Sequence, residues 1–136
     1  MLNTYYSTTR YLYVKLQAYY FKNSKFDKLI KYLIKSCCDN SNWLLHYMES
    51  DKDHIHLLIE TKPNTNISRV VNKLKSYTTY HAWKQYDKYL NKLFWLTKSI
   101  WTRGYFVATV GNVSADTVAE YIKNQGGGND ATTSKS

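Results

Sequence analysis

Apolar positions in this chain recur with two periods, and each change of period marks an element. Arg10 to Phe21, RYLYVKLQAYYF, is rich in aromatic and β-branched residues that roughly alternate, which predicts a strand. Ser24 opens SKFD, a capping-box pattern with Asp27 at the third helical position. Phe26, Leu29, Ile30, Leu33, Ile34 and Cys37 then fall at helical spacing and predict an amphipathic helix. Asp39 to Asn42 is a polar turn. Trp43 to Glu49 and His54 to Glu60 alternate again, so the pair predicts a hairpin. Lys62 to Thr65, KPNT, holds the only proline and breaks the chain. From Asn66 to about Tyr89 the helical period returns. Ile67, Val70, Val71, Leu74 and Tyr77 form its apolar stripe, with Arg69, Lys73 and Lys75 on its basic side. Tyr105 to Val110, YFVATV, predicts a fourth strand, ended by Gly111 and Asn112. Ser114 or Asp116 caps a last helix that runs to about Gln125 and stops at Gly126.

The element order is therefore β-α-β-β-α-β-α. Its first six members are the split βαβ pattern of an α+β, ferredoxin-like fold: an antiparallel sheet with two helices on one face. RNA-recognition (RRM-like) modules share this topology, so the fold alone does not decide function. No linker or internal repeat divides the chain. Residues 1–125 read as one domain, and GGGNDATTSKS from Gly126 to Ser136 as a flexible tail.

Composition adds a partner class. Lysines and arginines number 19 against 10 acidic residues, for a formal net charge of +9. Such a chain attracts polyanions, because neutralising phosphates releases condensed counterions. Fourteen tyrosines and four tryptophans accompany the charge. Rings beside basic residues suit single-stranded nucleic acid, whose unpaired bases stack on them. The two cysteines, Cys37 and Cys38, are adjacent, which excludes a disulfide framework and a CxxC zinc site and fits a reducing cytoplasm. No apolar run reaches the roughly 20 residues of a membrane span.

Candidate chemistry sits in DKDHIHLLIE. His54 and His56 are two apart on a predicted strand, so both point to one face with Cβ atoms roughly 6–7 Å apart. Ile55, Leu57 and Ile59 point to the other. Two readings follow: a rigid platform for a metal, or two solvent-facing histidines. A metal site needs a third ligand. Asp51, Asp53 and Glu60 are candidate outer partners. Tyr121 and Gln125 lie four apart on the last helix and share a face. The carboxamide of Gln125 can complete a His, His, Gln set, whose mixed nitrogen and oxygen donors suit Mg²⁺ or Mn²⁺. Tyr121 can serve as a nucleophile toward phosphorus.

Histidine, hydrophobic residue, histidine on a strand, followed by a helix with a tyrosine and a glutamine four residues on, resembles the HUH single-tyrosine transposases of small insertion sequences (TnpA type). HIHLLIE before a proline turn and the basic helix NISRVVNKLKSYTTYHAW, and WTRGYFVATVG before the last helix, extend the likeness over Arg10 to Gln125. The resemblance implies a divalent ion held by His54, His56 and Gln125. It implies Tyr121 as the nucleophile that cuts single-stranded DNA with hairpin ends through a 5′-phosphotyrosine link. It implies a homodimer in the cytoplasm of a prokaryotic cell, with Tyr121 of one subunit docked beside the histidines of the other. Gly111 would then be a hinge or an ordinary turn residue. Arg10, Arg69, Lys73, Lys75 and Arg103 are candidate DNA contacts. Two other readings fit parts of the pattern: a replication-initiator-type HUH nicking endonuclease, and a non-enzymatic RRM-like single-strand-binding module.

Overall fold

The computed structural model describes residues 9–18, 21, 23–94 and 99–110. Six elements follow one another: β1 (Arg10–Ala18), α1 (Ser24–Asn40), β2 (Leu44–Asp51), β3 (His54–Thr61), α2 (Ile67–Phe94) and β4 (Trp101–Val110). The strands form one sheet in the order β2-β3-β1-β4, and each neighbouring pair is antiparallel. This is the ferredoxin-like arrangement expected from the element order. The predicted seventh element, and with it Gly111, Tyr121, Gln125 and the tail, lies outside the described residues.

Alternation along the two central strands divides the sheet into two faces. Leu12, Val14 and Leu16 of β1 and Ile55, Leu57 and Ile59 of β3 are completely buried against the helices. Phe26, Ile30, Leu33 and Ile34 of α1 and Val70, Val71 and Leu74 of α2 close that core. Each such side chain contributes about 1.5–3 kcal/mol of burial free energy. The second face carries Tyr13, Lys15 and Gln17 of β1 beside His54, His56 and Leu58 of β3.

Polar ties set how α2 meets β4. Trp101 Nε1 donates to Thr78 Oγ1 at 2.9 Å, and the Thr78 hydroxyl donates to the Leu74 carbonyl at 2.8 Å. Lys75 Nζ donates to the carbonyls of Thr102 and Arg103 at 2.9 and 3.4 Å. Burial lowers the Lys75 pKa. An ammonium held by backbone oxygens keeps its charge satisfied in that setting.

Several boundaries differ from the sequence expectation. The cap of α1 is Asn23, whose Oδ1 accepts from the Phe26 amide at 2.9 Å, not Ser24. Asparagine caps as well as serine does, and Asp27 is left to pair with Lys31 one turn on. Phe21, expected at the end of β1, lies in a turn instead. α2 continues past Tyr89 to Phe94, across a break at Tyr86 (φ −133°, ψ 39°). The break re-aims the last turns so that Leu90 and Phe94 are buried, and the Phe94 ring packs 5.4 Å from that of Phe26. β4 starts four residues earlier than expected, at Trp101.

Candidate active site

The β2–β3 hairpin delivers the histidine pair. It turns at Lys52, which adopts φ 45°, and β3 then starts at His54. Register places His54 between Gln17 and Asp51, and His56 between Lys15 and Glu49. Both imidazoles lie on the face away from the helices, as their spacing predicts. They are not equally covered: His56 is 4% exposed, whereas the His54 side chain is 33% exposed.

Each ring is anchored through Nδ1. His54 Nδ1 lies 2.9 Å from Asp53 Oδ1. The other oxygen of Asp53 accepts from Gln17 Nε2 at 2.9 Å, and Gln17 Oε1 accepts from the Thr102 hydroxyl at 3.2 Å. His56 Nδ1 is 2.9 Å from the Tyr13 hydroxyl, and the two rings are parallel to within 1°. Tyr13 is itself buried, packed with Leu58, Tyr11, Tyr47, Phe106 and Val110. The Nε2 atoms are treated differently. Among the described residues His56 Nε2 is buried without a hydrogen-bond partner, and an Asp51 carboxylate oxygen stands 4.0 Å away.

A buried ring nitrogen without a partner carries a desolvation cost. A metal ligand has that arrangement: one nitrogen tied to a neighbour, the other directed at the ion. Charge state agrees. Burial, followed by the positive charge of Lys15, pushes the His56 pKa below its ordinary value, so the ring is neutral near pH 7 and can donate a lone pair. Asp53 lies lower than an ordinary carboxyl: burial raises it, but the Gln17 hydrogen bond and the His54 charge outweigh that. The acidic side chains of Asp51, Asp53 and Glu49 surround the pair. The residues present therefore fit two positions of a divalent site. Among the described residues no third histidine, cysteine or carboxylate completes a group with them.

The other predicted positions are distributed as follows. Asp53 is a partner of His54, as its position suggested. Glu60 instead holds His46, at 2.7 Å, one strand-end away. Tyr47, on the histidine face, donates to Glu49, and burial together with that carboxylate raises its pKa to about 12. A phenol held protonated in this way is a poor nucleophile. Among the basic candidates, Arg69 and Arg103 are exposed. Lys73 is exposed too, with Nζ 5.8 Å from the Trp43 ring. Arg10 donates to the Thr65 carbonyl, and Lys75 is held by β4. Tyr80 is exposed with Lys84 beside its ring, so aromatic and basic groups do share surface on α2. Tyr13 and Gln17 were not singled out by the sequence. Their signal is positional: in a split βαβ sheet β1 lies beside β3, so the outward residues of RYLYVKLQ face the histidines.

Comparison with known proteins decides the family. A family model described as IS200-like transposase matches residues 8–125. The chain belongs to the IS200-like transposase family. The transposases for insertion sequence element IS200 of Salmonella typhimurium strain LT2 and of Salmonella typhi are each 32% identical over 97 residues. That alignment covers 68% of this chain and 59% of each relative, so this IS200-like chain spans about three-fifths of the length of those curated proteins. Among solved structures, a candidate transposase from Deinococcus radiodurans R1 superposes with a TM-score of 0.65 at 22% identity, covering 88% of this chain and 93% of that one. A REP-associated tyrosine transposase bound to a REP hairpin superposes with a TM-score of 0.52 at 12% identity, covering 86% of this chain and 61% of its own. Both likenesses show that the IS200-like chain has the fold of these transposases.

Proposed function

We propose that this chain cuts and rejoins single-stranded DNA at the hairpin ends of an insertion sequence, with Tyr121 as nucleophile. The observation that carries the reading is the anchored histidine pair, with two Nδ1 atoms tied back and a buried Nε2 on His56 left without a partner. Membership of the IS200-like family supports the substrate and the reaction class.

His54 and His56 would hold one Mg²⁺ or Mn²⁺ through Nε2, and Gln125 would complete the set through its carboxamide oxygen. The bound ion supplies Lewis-acid stabilisation of charge on the scissile phosphate. Tyr121 attacks the phosphorus in line. Its Oη forms the new ester while the bond from phosphorus to the 3′-oxygen breaks, giving a 5′-phosphotyrosine and a free 3′-OH. The phenol starts from an ordinary pKa of about 10, so its proton must leave as the bond forms. A second 3′-OH attacks the phosphotyrosine, displaces the Tyr121 phenolate and restores a phosphodiester. No ATP is consumed, because each step exchanges one phosphoester for another. Within a homodimer, Tyr121 of one subunit would serve the histidines of the other, with Gly111 allowing its helix to cross. Arg69, Lys73 and Arg103 offer charge to the DNA backbone. Such a substrate places the work in the cytoplasm of a prokaryotic cell.

The test is incubation with single-stranded hairpin oligonucleotides from the element's ends and Mn²⁺. A covalent protein–DNA adduct should form, depend on the metal and vanish in Tyr121→Phe. An adduct that survives in Tyr121→Phe would remove the nucleophile assignment.

A further inference from the structure

A neutral histidine can offer only one nitrogen to a cation, and the hydrogen bond at Nδ1 bears on which nitrogen that is. Asp53 Oδ1 lies 2.9 Å from His54 Nδ1, and a carboxylate accepts, so in the neutral ring Nδ1 carries the proton and Nε2 the lone pair. Asp53 is in turn fixed: Gln17 Nε2 donates to its free oxygen, and the Ala18 amide donates to its backbone carbonyl at 2.9 Å. Flipping the Gln17 amide would set its Oε1 against the Asp53 carboxylate, acceptor facing acceptor, so Nε2 stays on Asp53 and Oε1 on the Thr102 hydroxyl. The chain Thr102–Gln17–Asp53–His54 thus runs from β4 through β1 to β3.

His56 faces the same choice with a different partner. A tyrosine hydroxyl can donate or accept. If Tyr13 donated, His56 Nε2 would be a buried N–H with no acceptor in reach among the described residues, since the Asp51 oxygen at 4.0 Å lies beyond hydrogen-bond distance. If Tyr13 accepts from Nδ1–H, Nε2 is a lone pair on the same face as that of His54. The parallel rings and the buried setting of Tyr13 fix the His56 plane.

We propose that Tyr13 and Gln17 are positioning residues that hold His56 and His54 in the tautomer with Nδ1 protonated and Nε2 bare. The inference rests on reading the pair as cation ligands, and it assigns to β1 the selection of their donor atoms. Tyr13 would act on the cation through the His56 ring it holds. Gln17 acts only through Asp53.

Long-range ¹H–¹⁵N spectra of the full, metal-free chain report which ring nitrogen is protonated, and they need no variant. Both histidines should show protonated Nδ1. Tyr13→Phe keeps the ring in its pocket and removes the hydroxyl. It should shift His56 toward the Nε2-protonated form and weaken Mn²⁺ binding, read by loss of the free-ion EPR signal, about 10-fold. Gln17→Leu should weaken Mn²⁺ by a smaller factor, because Asp53 still accepts from His54. An Nε2-protonated His56 in the wild-type chain would overturn the proposal. So would a Tyr13→Phe variant with an unchanged tautomer, even if Mn²⁺ binding fell, because packing alone would then explain the loss. A wild-type chain with both Nδ1 protons in place but no Mn²⁺ affinity would sink the cation reading and leave the tautomer assignment standing.

Discussion

The two faces of the sheet use the same strands for opposite ends. Toward the helices, β1 and β3 present Leu12, Val14, Leu16, Ile55, Leu57 and Ile59, every one completely buried. Away from them, the intervening residues include Tyr13, Lys15, Gln17, His54 and His56, with Tyr13 bonded to His56 and both Gln17 and His54 bonded to Asp53. The helix face contributes stability through area removed from water, and any well-shaped aliphatic side chain serves. The histidine face gives up part of that stability, since it buries a ring nitrogen without a partner. What it gains is a pair of nitrogens aimed in one direction. Residues one step apart in sequence should therefore respond to mutation in different currencies.

The largest expected effect lies on the helix face. Leu57→Ala should lower unfolding free energy by about 2–5 kcal/mol, measured by urea denaturation, because it opens a cavity in a close-packed core. Next comes the polar strap between α2 and β4. Lys75→Met should cost about 1.5 kcal/mol, since it leaves the Thr102 carbonyl without its charged donor. Lys73→Met, one turn-edge away and exposed, should stay within about 0.5 kcal/mol. If the two lysine variants matched, Lys75 would be no tie at all.

The smallest effect separates the faces by pH. Burial, and then Lys15, hold the His56 imidazole below its ordinary 6.5 in the folded chain. The unfolded chain then binds more protons than the folded one. This part of the stability is complete above about pH 6.5 and is lost as pH falls through that value toward the folded-state pKa. Urea midpoints should drop between about pH 8 and about pH 5.5, and His56→Gln should flatten that segment. A slope unchanged in His56→Gln would assign the acid sensitivity elsewhere.

Much of this was legible in the sequence because the relevant signals are local. Strand alternation placed Ile55, Leu57 and Ile59 inside and His54 and His56 outside, and the helical stripes of α1 and α2 marked the core residues that the structure buries. What escaped was non-local. No sequence rule sets the β1–β3 register, so the meeting of Tyr13 with His56 and of Gln17 with Asp53 could not be read. Glu60 shares strand parity with the histidines, but a register shift in β2 at His46 gives it a different partner. The early start of β4 was hidden by Thr102, Arg103 and Gly104, which look like loop residues and lie at a register shift, between the Trp101–Ala18 and Tyr105–Leu16 pairs, with Lys75 holding the carbonyls of Thr102 and Arg103. Tyr121, Gln125 and Gly111 fall outside the described residues, so their placement is a matter for the adduct experiment.

The pairing of Lys15 with His56 limits how the gene can change. β3 writes core and chemistry in alternate codons, from His54 to Thr61. Deleting Ile55 alone would set the two histidines side by side, and one imidazole would enter the aliphatic layer of Leu12, Leu16 and Leu57. A lesion of two codons keeps the faces sorted, whereas a lesion of one removes ligand and core together.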